Sequence, residues 1–181
     1  MTTYCDYCIT HPEDTFNKNY HDTQYGFPLD DDNELFERLI LEINQAGLSW
    51  ITILRKADNF RKAYSKFNIA KIAKYTEEDR ARLLADSGII RNRLKVNAAI
   101  VNAQKVLELK KEFGSFKGWL DAHHPLTKGE WTKLFKKTFI FTGGEIVNEF
   151  LMSTGYLPGA HQKDCPIYKT VAAQKPAWMK K

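Results

Sequence analysis

Six thiol and imidazole side chains gather toward the two ends of this 181-residue chain. Cys5, Cys8, His11 and His21 crowd the first stretch, and His161 and Cys165 lie far downstream. Zinc prefers such ligands, and a closed tetrahedral site takes four of them. The spacing of His161 and Cys165 permits chelation from one turn of backbone, and by spacing alone Cys5-x-x-Cys8 is the natural complement. Unrelated surface histidines and small buried thiols are the plain alternative. The 3 cysteines cannot all pair within the chain, so a disulfide framework is not expected. A closed site leaves no position for substrate. A zinc here is therefore structural, and it joins the chain ends across most of the sequence.

A second constellation centres on Glu42. It follows Leu39 by three residues and Leu35 by seven, so a continuous helix turns its carboxylate toward an apolar side. Burial there is costly unless something pairs with it; the alternative places Glu42 at the edge of the stripe, in water. The run Gln45-Ala46-Gly47-Leu48-Ser49-Trp50 breaks the helix at Gly47 and restarts it at Ser49. Leu48 and Trp50 then stand near an inter-helix turn. A tryptophan beside a carboxylate suits a flat, electron-poor ring bearing an amine, which stacks on the indole and donates to the acid. Tyr20 and Tyr25 are further candidates for the same lining.

The third is a hairpin. Leu83 to Lys95 reads as a helix, a tight turn at Gly88 and a second helix, with Arg91, Arg93 and Lys95 at the start of the second. The macrodipole disfavours cations there, and a bound phosphate would reverse that penalty. An ordinary helical hairpin with solvated cations is the alternative. The 27 Lys and Arg against 22 Asp and Glu give +5, which suits a polyanionic partner without requiring one.

The elements that must position these groups are helical almost everywhere. Asp30 to Asp32 starts a helix carrying Leu35, Phe36, Leu39, Ile40 and Ile43; Thr76 to Asp79 forms a capping box ahead of Leu83 and Leu84. A longer helix carries Val96, Ile100, Ala103 and Leu107 and stops at Gly114, and Ser115 caps a short one with Phe116, Trp119 and Leu120. Two more run from Trp131 to Lys137 and from about Gly143 to Ser153. Thr138 to Phe141 is the one strand candidate, and Gln174 to Lys181 reads as a basic, loosely held tail. The expected fold is all-α, a compact array of about eight to ten helices in one domain spanning 1–181. With 43% hydrophobic and 27% charged residues, wholesale disorder and fibrous classes are excluded. No apolar run reaches bilayer length and the opening residues lack the order of a secretion signal, so a reduced, cytoplasmic protein without membrane contact is expected.

Tyr20-His21-Asp22, Gly26, Leu41-Glu42, the run Gln45 to Thr52, and Gly88-Ile89-Ile90-Arg91-x-Arg93-x-Lys95 together resemble the DNA-3-methyladenine glycosylase I family. The resemblance extends from Cys5 to Cys165. It implies a helix-hairpin-helix enzyme that flips an alkylated adenine out of double-stranded DNA and hydrolyses its N-glycosidic bond, leaving an abasic site. It also implies a structural zinc on Cys5, His21, His161 and Cys165, in place of the pairing with Cys8, held by a clip of residues 1–25 and 156–170. Glu42 matches the family's base-recognition glutamate, and Trp50, Tyr20, Tyr7 and Tyr25 match its base-binding aromatics. Trp50 and Tyr20 would sandwich the ring, Leu48 would fill the gap left in the DNA stack, and Gly88, Arg91, Arg93 and Lys95 would hold the backbone. No lysine is placed for a Schiff base. A monomer, nucleoid-associated through DNA, is expected. Tyr25, Asn44, Leu94, Asn148 and Glu149 depart from the family pattern. Of these, Tyr25, Asn148 and Glu149 support a competing reading, a zinc-stapled, non-catalytic binder of damaged DNA.

Overall fold

The computed structural model describes residues 3–180; Met1 and Thr2 of the expected clip and Lys181 of the expected tail lie outside them. Every regular element among the described residues is helical: α1 (Tyr4–Thr10), α2 (Thr15–Thr23), α3 (Asp32–Gln45), α4 (Trp50–Ala63), α5 (Ile69–Ile72), α6 (Glu77–Ala85), α7 (Arg93–Phe113), α8 (Phe116–His123), α9 (Lys128–Thr138), α10 (Gly144–Ser153) and α11 (Tyr168–Ala173). The count exceeds the expected range because α1, α2, α5 and α11 are too short to show an apolar period. Side-chain caps define the first three of them instead. Thr3 and Asp6 close a capping box on α1, and Asp14 accepts from the Asn17 amide at the start of α2.

α3 is the central element. Leu35, Phe36, Leu39, Ile40 and Ile43 are fully buried, and the helix packs against α4, α7, α8 and α10. Its cap is strong: Asp31 accepts from the amides of Asn33 and Glu34 at 2.8 and 3.0 Å. The next residue, Asp32, accepts from the amides of Phe116 and Lys117 at 3.0 Å each, which ties the first turn of α8 to the first turn of α3. Around them Phe116, Trp119, Trp131, Phe135, Phe139 and Phe150 pack edge-to-face and stacked in one aromatic cluster.

Two expectations are corrected. Thr138 to Phe141 forms no strand. α9 continues through Thr138, and the buried Asn102 side chain then clamps Ile140, accepting from its amide at 2.9 Å and donating to its carbonyl at 3.1 Å. With both backbone groups held by one amide, no partner strand is needed. The segment from Gln174 is not loose either. Pro176 is buried, Ala177–Met179 forms a 3-10 turn, and the Trp178 amide donates to the Gly155 carbonyl at 3.1 Å.

Candidate functional site

α1, α2 and the loop before α11 bring four ligand-type residues together. One ligand atom each of Cys5, His21, His161 and Cys165 lies within 4.8 Å of the others, and all four residues are buried. Sγ of Cys5 is 3.7 Å from Nδ1 of His161, and Sγ of Cys165 is 3.5 Å from that atom and 3.6 Å from Nε2 of His21. The outer contacts set both imidazoles. Nε2 of His161 must carry a proton because it donates to the Tyr25 carbonyl at 2.7 Å, which leaves Nδ1 free to bind a metal. Nδ1 of His21 sits 2.7 Å from the Asp22 carboxylate, which leaves its Nε2 as the inward atom. The donor set and its supporting groups fit a tetrahedral divalent ion such as zinc. Cys8 is buried but stands outside the group, so the pairing suggested by spacing alone is not the one that forms. Gly26 makes the approach possible. Its φ is +82°, and a Cβ there would meet Ala160 Cβ at 2.8 Å and His161 Cδ2 at 3.2 Å.

On the other side of α2 lies an aromatic and acidic cleft. Glu42 is only 4% exposed, on the α3 face that carries Leu35 and Leu39. Among the described residues no side chain donates to its carboxylate. Burial, and then the charge of Glu149, push its pKa up to about 8, against a partial pull downward from Arg38. Tyr20 packs edge-on against Trp50, with ring centroids 5.0 Å apart, and Arg38 lies over the Tyr20 ring. The Tyr20 hydroxyl and the Trp50 Nε1 are both buried without a hydrogen-bond partner, while the nearby Ser153 hydroxyl donates to the Phe150 carbonyl at 3.0 Å. Orphaned buried donors are costly, and a ligand accepting from these two would relieve that cost. Tyr20, Arg38, Leu41 and Trp50 also wall an open groove of about 790 Å³ between α2, α3 and α4.

The geometry revises two sequence expectations. An inserted ring needs about 7 Å between two aromatic planes. Tyr20 and Trp50, 5.0 Å apart centre to centre, are therefore adjoining walls and not the two faces of a sandwich. Tyr7 stacks its ring on His11 at 4.3 Å and donates its hydroxyl to Asp14 at 2.9 Å, and no contact among the described residues brings it to the cleft. Tyr25, by contrast, is buried against Tyr20, and its hydroxyl donates to Glu149 at 3.2 Å. Glu149, half-buried on α10, stands out in the sequence only as a departure from the family pattern; its place beside Tyr25 is a tertiary fact.

The third cluster lies where α6 turns into α7. Asp86 accepts from the Gly88 amide at 2.8 Å, and a Cβ on Gly88 would press on Asp86 and Asn59. Asn92 caps α7, taking the Leu94 and Lys95 amides at 3.0 and 3.1 Å, so those two N–H groups are not open to an anion. Arg91 and Arg93 are exposed. Lys95 is corrected: it is buried, and its Nζ donates to the carbonyls of Asn44 and Ala46 at 2.7 Å each. A cation unfavourable at the start of its own helix thus sits at the favourable end of α3, and burial lowers its pKa. It anchors the turn that presents Leu48, which is 39% exposed beyond Gly47 at φ +80°. Lys56 of α4 adds a cation missed in the sequence, donating to the Ser87 carbonyl at 3.1 Å; only the fold brings it to the hairpin.

An all-helical fold with a buried acid, a lining of tyrosine and tryptophan and a basic hairpin agrees with the glycosylase architecture that the sequence resemblance implies. The family description "Methyladenine glycosylase" matches residues 10–133, and the chain belongs to that family. DNA-3-methyladenine glycosylase of Haemophilus influenzae is 36% identical over 185 residues, 92% of this chain and 98% of that protein. DNA-3-methyladenine glycosylase 1 of Escherichia coli is 36% identical over 168 residues, 82% of this chain and 89% of that one. The structure of 3-methyladenine DNA glycosylase I from Staphylococcus aureus, determined to show how it recognises 3-methyladenine, superimposes with a TM-score of 0.81 at 32% identity, covering 91% of this chain and 97% of that one.

Proposed function

We propose that this chain, acting as one domain, excises 3-methyladenine from alkylated double-stranded DNA by hydrolysing the N-glycosidic bond and leaving an abasic site. The observation that carries the reading is the buried, unpartnered Glu42 carboxylate beside the unpartnered donors of Tyr20 and Trp50. The flipped nucleotide enters with a positive charge on its purine, and Glu42 accepts from the base edge and favours that cation over neutral adenine. Trp50 and Tyr20 wall the ring, Tyr25 supports them, and Leu48 fills the vacated stack. Water attacks C1′, the C1′–N9 electrons leave with the base, and the base departs neutral because methylation had already made it cationic. Little acid catalysis is needed. Arg91 and Arg93 hold backbone phosphates. Zinc on Cys5, His21, His161 and Cys165 supplies structure and no chemistry.

The test is single-turnover release of 3-methyladenine from methylated duplex DNA, with the free base resolved by chromatography. The wild-type chain releases it, and Glu42→Gln, folded by its thermal transition, loses at least about a hundred-fold in rate. Binding without any release would favour the non-catalytic binder, and full release by Glu42→Gln would remove Glu42 from its role.

A further inference from the structure

Glu149 projects from α10, which packs against both α9 and α3. Its carboxylate accepts from the Tyr25 hydroxyl at 3.2 Å. Tyr25 is itself fixed at its other end, where its carbonyl receives the proton on Nε2 of His161 at 2.7 Å. Tyr25 in turn packs on Tyr20, with ring centroids 5.7 Å apart, so Glu149 stands beside an aromatic wall of the cleft, and its charge contributes to the raised pKa of Glu42. The half-buried Glu149 thus stands one ring away from Tyr20, over which the buried Arg38 lies, and the buried Glu42 follows Arg38 by one turn of α3. A site for a neutral ring has no use for a second acid, because each added charge costs desolvation. A site for a cationic ring does.

We propose that Glu149, oriented by the Tyr25 hydroxyl, is a specificity-determining residue that supplies a second negative charge to the cationic purine and so favours methylated over neutral bases. This rests on the glycosylase reading above. The facing groups define the electrostatics: Glu42 and Arg38 on α3, Tyr20 and Tyr25 from α2 and its exit, Glu145 on the same helix and Lys128 from α9. Burial first, then Glu145, raises the Glu149 pKa, while the Tyr25 hydroxyl and Lys128 pull it back. In the free protein the two acids oppose each other's ionisation, and a cationic base relieves that repulsion.

The experiment measures single-turnover release of 3-methyladenine and of neutral hypoxanthine from duplex DNA between pH 5.5 and 9.5. It compares wild type with Glu149→Gln and Glu149→Asp, each checked for a cooperative thermal transition. Glu149→Gln is expected to lose about ten-fold in release of the cationic base, with little change for the neutral one. Because the charge beside Glu42 is gone, the midpoint for Glu42 ionisation moves to lower pH. Glu149→Asp, which keeps the charge, restores most of the rate. Equal rates and an unmoved midpoint in Glu149→Gln would overturn the proposal while leaving the glycosylase reading intact. Equal losses in both variants would reduce Glu149 to a packing role. Absence of release by the wild type would instead overturn the glycosylase reading itself.

Discussion

Nε2 of His161 and the backbone carbonyl of Tyr25 are joined by a 2.7 Å hydrogen bond, which couples the Cys–His cluster to the aromatic cleft. The histidine belongs to the loop before α11 and the tyrosine to the exit of α2, so one bond links the two ends of the chain to a wall of the site. The coupling has a measurable consequence. One zinc per chain is expected by metal analysis, and Cys165→Ser should lose it. The variant, or the chelated wild type, should melt at least about 5 °C lower, because the clip closing a long loop is released. Its base release should fall in parallel. A protein that retains its melting temperature without metal would show that the cluster is not a structural site.

Glu42 should cost stability in proportion to its ionisation. Its pKa is raised from 4.5 to about 8, so the folded chain holds a proton that the unfolded chain has lost over that interval, and stability falls as pH rises from about 4.5 to 8. Glu42→Gln removes this dependence. The variant should be the more stable protein at neutral pH, with an advantage that grows by up to about 1.4 kcal/mol per pH unit and levels off above pH 8. Thermal melts of both proteins across that range check it, and a difference independent of pH would contradict the burial of the acid.

Lys95 and the two arginines nearby should separate cleanly. Lys95→Met leaves the carbonyls of Asn44 and Ala46 without a donor and should cost roughly 2 kcal/mol of folding stability. Arg91→Ala and Arg93→Ala, both at exposed positions, should stay within about 0.5 kcal/mol of wild type. Their effect should appear in DNA binding, where each removal lowers the slope of log affinity against log salt by roughly one. Denaturant melts and a salt titration of binding to undamaged duplex distinguish the two outcomes.

Gly26→Ala places a methyl 2.8 Å from Ala160 Cβ and demands a left-handed φ from an L side chain. It should destabilise the fold by more than about 1 kcal/mol and weaken metal retention, since His161 must move aside. Unchanged zinc content and melting temperature would mean that the loop around Ala160 yields without disturbing the ligands.

The helices that carry the site were legible from local pattern. Leu35, Leu39 and Glu42 share a face at any register of a continuous helix, Gly47 and Ser49 mark one helix end and the next start, and Asn92 to Lys95 open another. These follow from periodicity and capping, which operate over a few residues and need no partner. What only the tertiary structure decided is which of those faces meet. Lys95 reads as a surface cation by its place in its own helix, yet it serves the carbonyls at the end of another. Tyr7 counts among the base-binding aromatics by family resemblance, yet its ring stacks on His11. Cys8 has the better spacing, but it is His21, on the next helix, that turns inward. Glu149, more than a hundred residues from Tyr25 and Glu42, becomes part of their cleft because α10 packs on α3. A one-dimensional pattern sets which way a side chain leaves its own element, whereas pairing, burial and charge depend on distances between elements that only packing defines.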